Sequence, residues 1–127
     1  VLRDTIETHY SKDNIIMMGD FNDRMVASTY TGSTESPFKV FLNNPNDSVL
    51  TYTLDSMGIS SFIGGSGMID HIIISDEMKK YYINKATNVE PANTYVNGYN
   101  KNTASDHLPV YSRFNFASMV MPLKSLQ

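Results

Sequence analysis

The stretch Ile15 to Asp23, IIMMGDFND, constrains the fold more than any other part of the chain. Four apolar residues, Ile15, Ile16, Met17 and Met18, run without alternation, the pattern of a strand buried on both faces. They stop at Gly19, where a backbone without a Cβ can turn tightly or approach another group closely. Asp20 and Asn22 follow, so the strand delivers a carboxylate and a side-chain amide two residues apart at its carboxyl end. Gly, Asp and Asn are also ordinary turn residues, and the stretch by itself fits a plain polar turn equally well.

Composition narrows the function classes. A chain of 127 residues forms one domain or part of one. At 41% hydrophobic and 18% charged residues it has the makings of a packed core rather than of a disordered chain. A net charge of -3 gives no global basic field for coating nucleic acid, although it leaves local phosphate grips open. With no cysteine there is no disulfide, thiolate metal site or cysteine nucleophile. No run is long and apolar enough to span a membrane, and the first residues carry no signal-peptide pattern. Val1 is not a methionine and already reads as helix, so an upstream portion of the protein is expected to be missing.

Leu2, Ile6 and Tyr10 predict the apolar stripe of a first helix, with His9 as a solvated helix-end residue. A long polar loop over 24–37 follows the acid–amide turn, and long loops in compact domains are often functional. Pro37 opens a short helix carrying Phe38, Phe41 and Leu42. Asp47 or Ser48 is expected to cap a second helix, buried through Leu50, Leu54 and Met57 and stopped by Gly58. Ile59 to Ile63 reads as a short strand. Gly64 to Gly67 is a turn without the spacing of a phosphate-cradling loop. Met68 to Ser75 is a second buried strand, and Ser75-Asp76-Glu77 starts a short helix. Residues 84–96 are polar and lean towards strand. The last strand is fed by Ser105 to Val110, with Leu108, Val110, Phe114 and Phe116 on one face and Tyr111, Arg113 and Asn115 on the other. Residues 117–127 form a trailing segment.

Three strands therefore each present ionisable groups near an end: Asp20 with Asn22, Asp70 with His71, and Asp106 with His107. Asp70 sits among isoleucines, and a carboxylate in apolar surroundings is costly unless something pairs with it. A histidine from a neighbouring strand would be a suitable partner, fixed in its tautomer by the acid. His71 follows Asp70 directly, so in an extended strand it points to the opposite face. His107 is the better partner.

Gly19-Asp20-Phe21-Asn22, Ile69 to Ser75 (IDHIIIS) and Ser105 to Val110 (SDHLPV) together resemble the endonuclease/exonuclease/phosphatase superfamily, the deoxyribonuclease-I-like phosphoesterases. The motifs occur in the family's order, each joined to a strand, and the resemblance covers Leu2 to Phe116. It implies an α+β fold, half of a four-layer α/β/β/α sandwich of mostly antiparallel sheet, with residues 1–116 as the carboxyl-terminal half of such a domain. By that resemblance Asp20 orients or deprotonates the attacking water, and Asn22 hydrogen-bonds the scissile phosphate. His107 contacts the phosphate in acid–base work or charge stabilisation, and Asp70 pairs with His107. Asp106 lies near a metal site and reaches it through water. His71 matches no catalytic position and is expected to be structural.

The resemblance also implies Mg2+, or Mn2+ or Ca2+ in its place, a hard cation suited to oxygen ligands. Its main glutamate ligand belongs to the family's amino-terminal half, and Glu7, Glu35, Glu77 and Glu90 stand in the wrong contexts to replace it. The parent protein is thus expected to be a metal-dependent phosphodiesterase or phosphatase, most simply an endonuclease, acting on nucleic acid, a phospholipid or an inositol phosphate. This chain alone is expected to be inactive. A half domain would leave a large apolar sheet face bare, worth on the order of tens of kcal/mol at roughly 25 cal/mol per Å², so it is expected to self-associate or to pair with the missing half. The competing account is a non-catalytic binding or assembly module that keeps the fold. Lys79, Lys80, Lys85 and Lys101 could flank a polyanion, but a solvated face explains them more simply.

Overall fold

A computed structural model describes residues 1–30, 33–65 and 67–117. The proposed trailing segment therefore lies outside the described residues from position 118 on. The chain is α+β with antiparallel sheets: α1 (Leu2–His9), β1 (Ile16–Asp20), α2 (Lys39–Leu42), β2 (Asp47–Val49), α3 (Tyr52–Ser56), β3 (Asp70–Ser75), α4 (Asp76–Lys79), β4 (Tyr82–Val89), α5 (Ala92–Tyr95) and β5 (Val110–Phe114). One sheet has three strands in the order β1-β3-β2, and β4 and β5 form a second.

The centre of the first sheet is β3. Its run of isoleucines is covered on both faces, and every residue from His71 to Ser75 is buried. Ile72 and Ile74 point to one side, where Leu50, Tyr82, Val110 and Phe114 pack against them, so that side meets the second sheet. Ile73 points to the other side and packs with Met25 and Phe41, supported by Met17, Phe21, Phe38, Leu42 and Val49. Helix α2 and the loop after β1 thus cover that face. The alternation expected for the last strand holds over Val110–Phe114, with Val110, Ser112 and Phe114 more buried than Tyr111 and Arg113, whereas Phe116 lies beyond the strand and is exposed.

Several expectations fail for identifiable reasons. The strand β1 is not buried on both faces: Ile16 is 40% and Met18 66% exposed. It is an edge strand, because β3 takes the central place by pairing with β1 on one side and β2 on the other. Asp47 and Ser48 do not cap a helix but begin β2, and α3 starts later, at Tyr52. Met57 is 70% exposed, and the residue that α3 buries is Asp55. The first helix buries Arg3 and Ile6 rather than Leu2 and Tyr10. Arg3 Nε lies 2.5 Å from the buried Asp47 carboxylate, and its Nη2 lies 3.1 Å from Glu7. That charge contact turns the helix away from its apolar stripe. Residues 59–63 form only isolated bridges, of which Phe62 to His107 is one. Pro91 is followed by the short α5, so the strand-leaning stretch ends at Val89.

Candidate active site

The three motifs converge at one end of the first sheet. In the antiparallel register, Met18 faces Ile72, Gly19 faces His71 and Asp20 faces Asp70. Two carboxylates placed directly opposite each other on neighbouring strands repel, and such local violations of sheet-pairing rules concentrate at functional sites. Asp20 is exposed, and its Oδ1 accepts the Asn22 backbone N–H at 2.7 Å. That closes a tight turn with Asn22 in the left-handed region, at φ +56°. Asparagine tolerates this conformation better than most residues. Gly19, at φ +152°, takes a conformation that side chains rarely adopt, although no neighbour crowds the place of a Cβ.

His107 arrives from the second sheet side, just ahead of β5. Leu108 N–H donates to the Ser61 carbonyl at 2.7 Å and Ile63 N–H to the Asp106 carbonyl at 2.7 Å, which docks this segment against residues 61–63. His107 Nδ1 then lies 2.9 Å from Asp70 Oδ2. The Phe62 ring stands edge-on to the imidazole with centroids 5.4 Å apart. The hydrogen bond to Asp70 raises the His107 pKa above its ordinary value, against a partial loss of hydration, with the Asp20 and Asp106 charges adding to the rise. A carboxylate accepts only, so Nδ1 carries the proton and Nε2 is the atom left for other chemistry. Asp20, Asp70 and His107 are thus brought together, with Asn22 joined to Asp20 through the turn. Asp106 is exposed beside His107.

Sequence reasoning missed Ser61. It is fully buried, its hydroxyl donates to Asp70 Oδ2 at 2.6 Å, and its oxygen accepts the Ile69 and Asp70 N–H groups at 3.1 Å. Two donors therefore hold the same Asp70 oxygen. A serine beside an apolar Phe-Ile pair gives no local signal of this. Asp23 and Asp55 were missed as well. Asp23 accepts the Arg24 and Thr29 N–H groups and the Ser28 hydroxyl. Burial works against its charge, yet these donors bring its pKa below the ordinary value. Asp55 accepts Arg24 Nε at 2.7 Å and the Met25 and Val26 N–H groups at 2.8 and 3.0 Å. The polar loop after the turn is thereby pinned to α3.

His71 points to the opposite face from Asp70, as the strand alternation requires. It is 1% exposed. Burial lowers its pKa, against hydrogen bonding to the Asp23 carbonyl and the charges of Asp55 and Asp70. The two histidines therefore give opposite pH dependences of stability. His71 is neutral when folded, so as pH falls below the ordinary histidine value of about 6.5 the unfolded chain takes up a proton that the fold refuses, and stability drops. His107 is raised, so its contribution is fully present below that value and is lost as pH rises through the higher folded pKa. An NMR titration is expected to place the His107 ring above the ordinary value and the His71 ring below it. Replacing His107 by Gln should remove part of the stability present at pH 5 and little of that at pH 8.

Among the described residues no three His, Asp or Glu side chains are grouped as ligands for a metal ion. Asp20, Asp70 and Asp106 offer hard oxygen donors near this sheet end. No helix among them is long and apolar enough to cross a membrane. No family model, curated protein or solved structure matches the chain.

Proposed function

We propose that this chain carries part of the site of a phosphoesterase, the carboxyl-terminal half of an endonuclease/exonuclease/phosphatase domain, and that endonuclease-type hydrolysis is its activity in the full-length protein. The observation that carries this reading is the meeting of Asp20 and Asp70 in register at one sheet end with His107 bonded to Asp70 from a separate strand. Phosphoester hydrolysis needs a positioned water and charge-stabilising donors around the phosphoryl oxygens. Asp20 is the exposed carboxylate that takes the proton of the attacking water. The Asn22 amide, set beside it by the turn, donates to a phosphoryl oxygen. His107 presents Nε2 to the phosphate, and its raised pKa favours the protonated, donating form. Asp70 holds that ring, with Ser61 as its second anchor.

The four-layer sandwich and the metal dependence belong to the same proposal. The packing of β3 against residues of the second sheet on one side and against α2 on the other supports this reading. The uncovered Ile16 and Met18 on β1 are where the other half would continue it. Mg2+ supplies further charge stabilisation, with its main glutamate ligand on that half and Asp106 in reach through water. The test is an assay of the full-length protein with Mg2+ on plasmid DNA, sphingomyelin and inositol phosphates. Nicking of the plasmid is expected, and the 127-residue chain alone should be inactive. Absence of turnover on all three substrates would favour the assembly module instead.

A further inference from the structure

We infer that His71 is a positioning residue, a neutral imidazole of one tautomer on which the Asp20–Asn22 turn is folded. The inference rests on the phosphoesterase reading for its functional meaning and on geometry for its content. His71 pairs with Gly19 across the sheet. Its ring meets Phe21 edge-on at 5.8 Å between centroids. Its Nε2 lies 3.0 Å from the Asp23 carbonyl oxygen. It therefore touches residues 19, 21 and 23, the alternate members of the turn, while Asp20 and Asn22 are left exposed.

The tautomer follows from the partners. A carbonyl only accepts, so Nε2 carries the proton, and Nδ1 then accepts from the Thr51 hydroxyl at 2.8 Å. Thr51 is fully buried, so both ring nitrogens are satisfied away from water. The other tautomer would aim a lone pair at the Asp23 carbonyl. The protonated ring would make Nδ1 a donor, so the buried Thr51 hydroxyl would have to turn its own proton away to accept from it. The tautomer change therefore releases the backbone at Asp23, one residue after the asparagine, whereas protonation keeps the Nε2 bond to its carbonyl. The side chain of Asp23 reaches on to Arg24, Ser28 and Thr29, so the hold on its carbonyl also fixes the start of the following loop.

Gln can place an amide N–H where Nε2 donates, whereas Asn is too short to reach the Asp23 carbonyl. Amide hydrogen exchange of His71→Gln and His71→Asn in the 127-residue chain separates the two outcomes. Losing one buried hydrogen bond is expected to lower the protection of the Asn22, Arg24 and Thr29 amides about tenfold in His71→Asn. His71→Gln should stay within about threefold of the parent. The Leu108 amide, which bonds to Ser61 on the far side of the site, should change little in either. A long-range nitrogen–proton spectrum of the unsubstituted chain should show the His71 proton on Nε2. The inference is overturned by a proton on Nδ1, by equal losses at Leu108 and Asn22, or by equal behaviour of the two variants. None of these readouts needs turnover, so a failed phosphoesterase assay and a failed positioning role remain separate results.

Discussion

Replacing Asp55 with alanine is expected to destabilise the fold by about 3–5 kcal/mol. The carboxylate is fully buried, and its two oxygens take Arg24 Nε and the Met25 and Val26 N–H groups, while its own carbonyl accepts Arg24 Nη2 at 3.1 Å. Truncation leaves two amides without their acceptor and a guanidinium without its counter-charge. It also opens a gap beneath Met25, itself 1% exposed and packed on Ile73. The converse change, Arg24→Ala, should cost less. The Arg24 side chain is 28% exposed and can be replaced by water, and Asp55 keeps its two amide donors. Urea denaturation of the two variants checks both the size and the order. A midpoint for Asp55→Ala close to that of the parent would show that the loop after β1 does not depend on α3.

If the proposed phosphoesterase activity holds, replacing His107 with alanine is expected to lower turnover by the full-length protein about 10²–10⁴-fold, the range of positioned acid–base groups. Substrate binding should change much less. Asp70→Asn should lose less than His107→Ala, because the amide keeps the shape of the anchor while removing the charge that raises the imidazole pKa. It should also move the His107 titration down towards the ordinary value. Steady-state kinetics over a range of pH reads both changes. Unchanged turnover in His107→Ala would remove His107 from the chemistry and with it the roles given to Asp20 and Asp70.

The residues of the candidate site were more legible than its support. Asp20, Asn22, Asp70, His107 and Asp106 stand out because each is an ionisable or amide group at the end of an apolar run, a contrast visible within six or seven residues. The partnership of Asp70 with His107 rather than with His71 follows from strand alternation. Ser61, Asp23, Asp55 and Thr51 carry no such contrast. Their meaning lies in partners far along the chain: His71 and Asp23 are 48 residues apart, and Arg24 and Asp55 are 31 apart. A buried polar group is recognised by what satisfies it, and the sequence does not display that pairing.

What the sequence determined by itself is local and periodic. The apolar run of β3, the alternation of β5 and the short helix around Phe41 follow from side-chain spacing, and so does the display of acids at strand ends. Strand order was decided only by the tertiary structure. The runs Ile15–Met18 and Ile72–Ile74 look alike as sequence, yet one lies at an edge and the other at the centre. The difference is which strand finds hydrogen-bonding partners on both sides, and β3 does so through β1 and β2. The tertiary structure also turned Arg3 inward against Asp47 and gave Asp55 the place in the core expected for Met57. In both cases a carboxylate with partners outweighed an apolar side chain without them, because the cost of leaving charges and amides unpaired exceeds the gain from burying one more methionine or leucine.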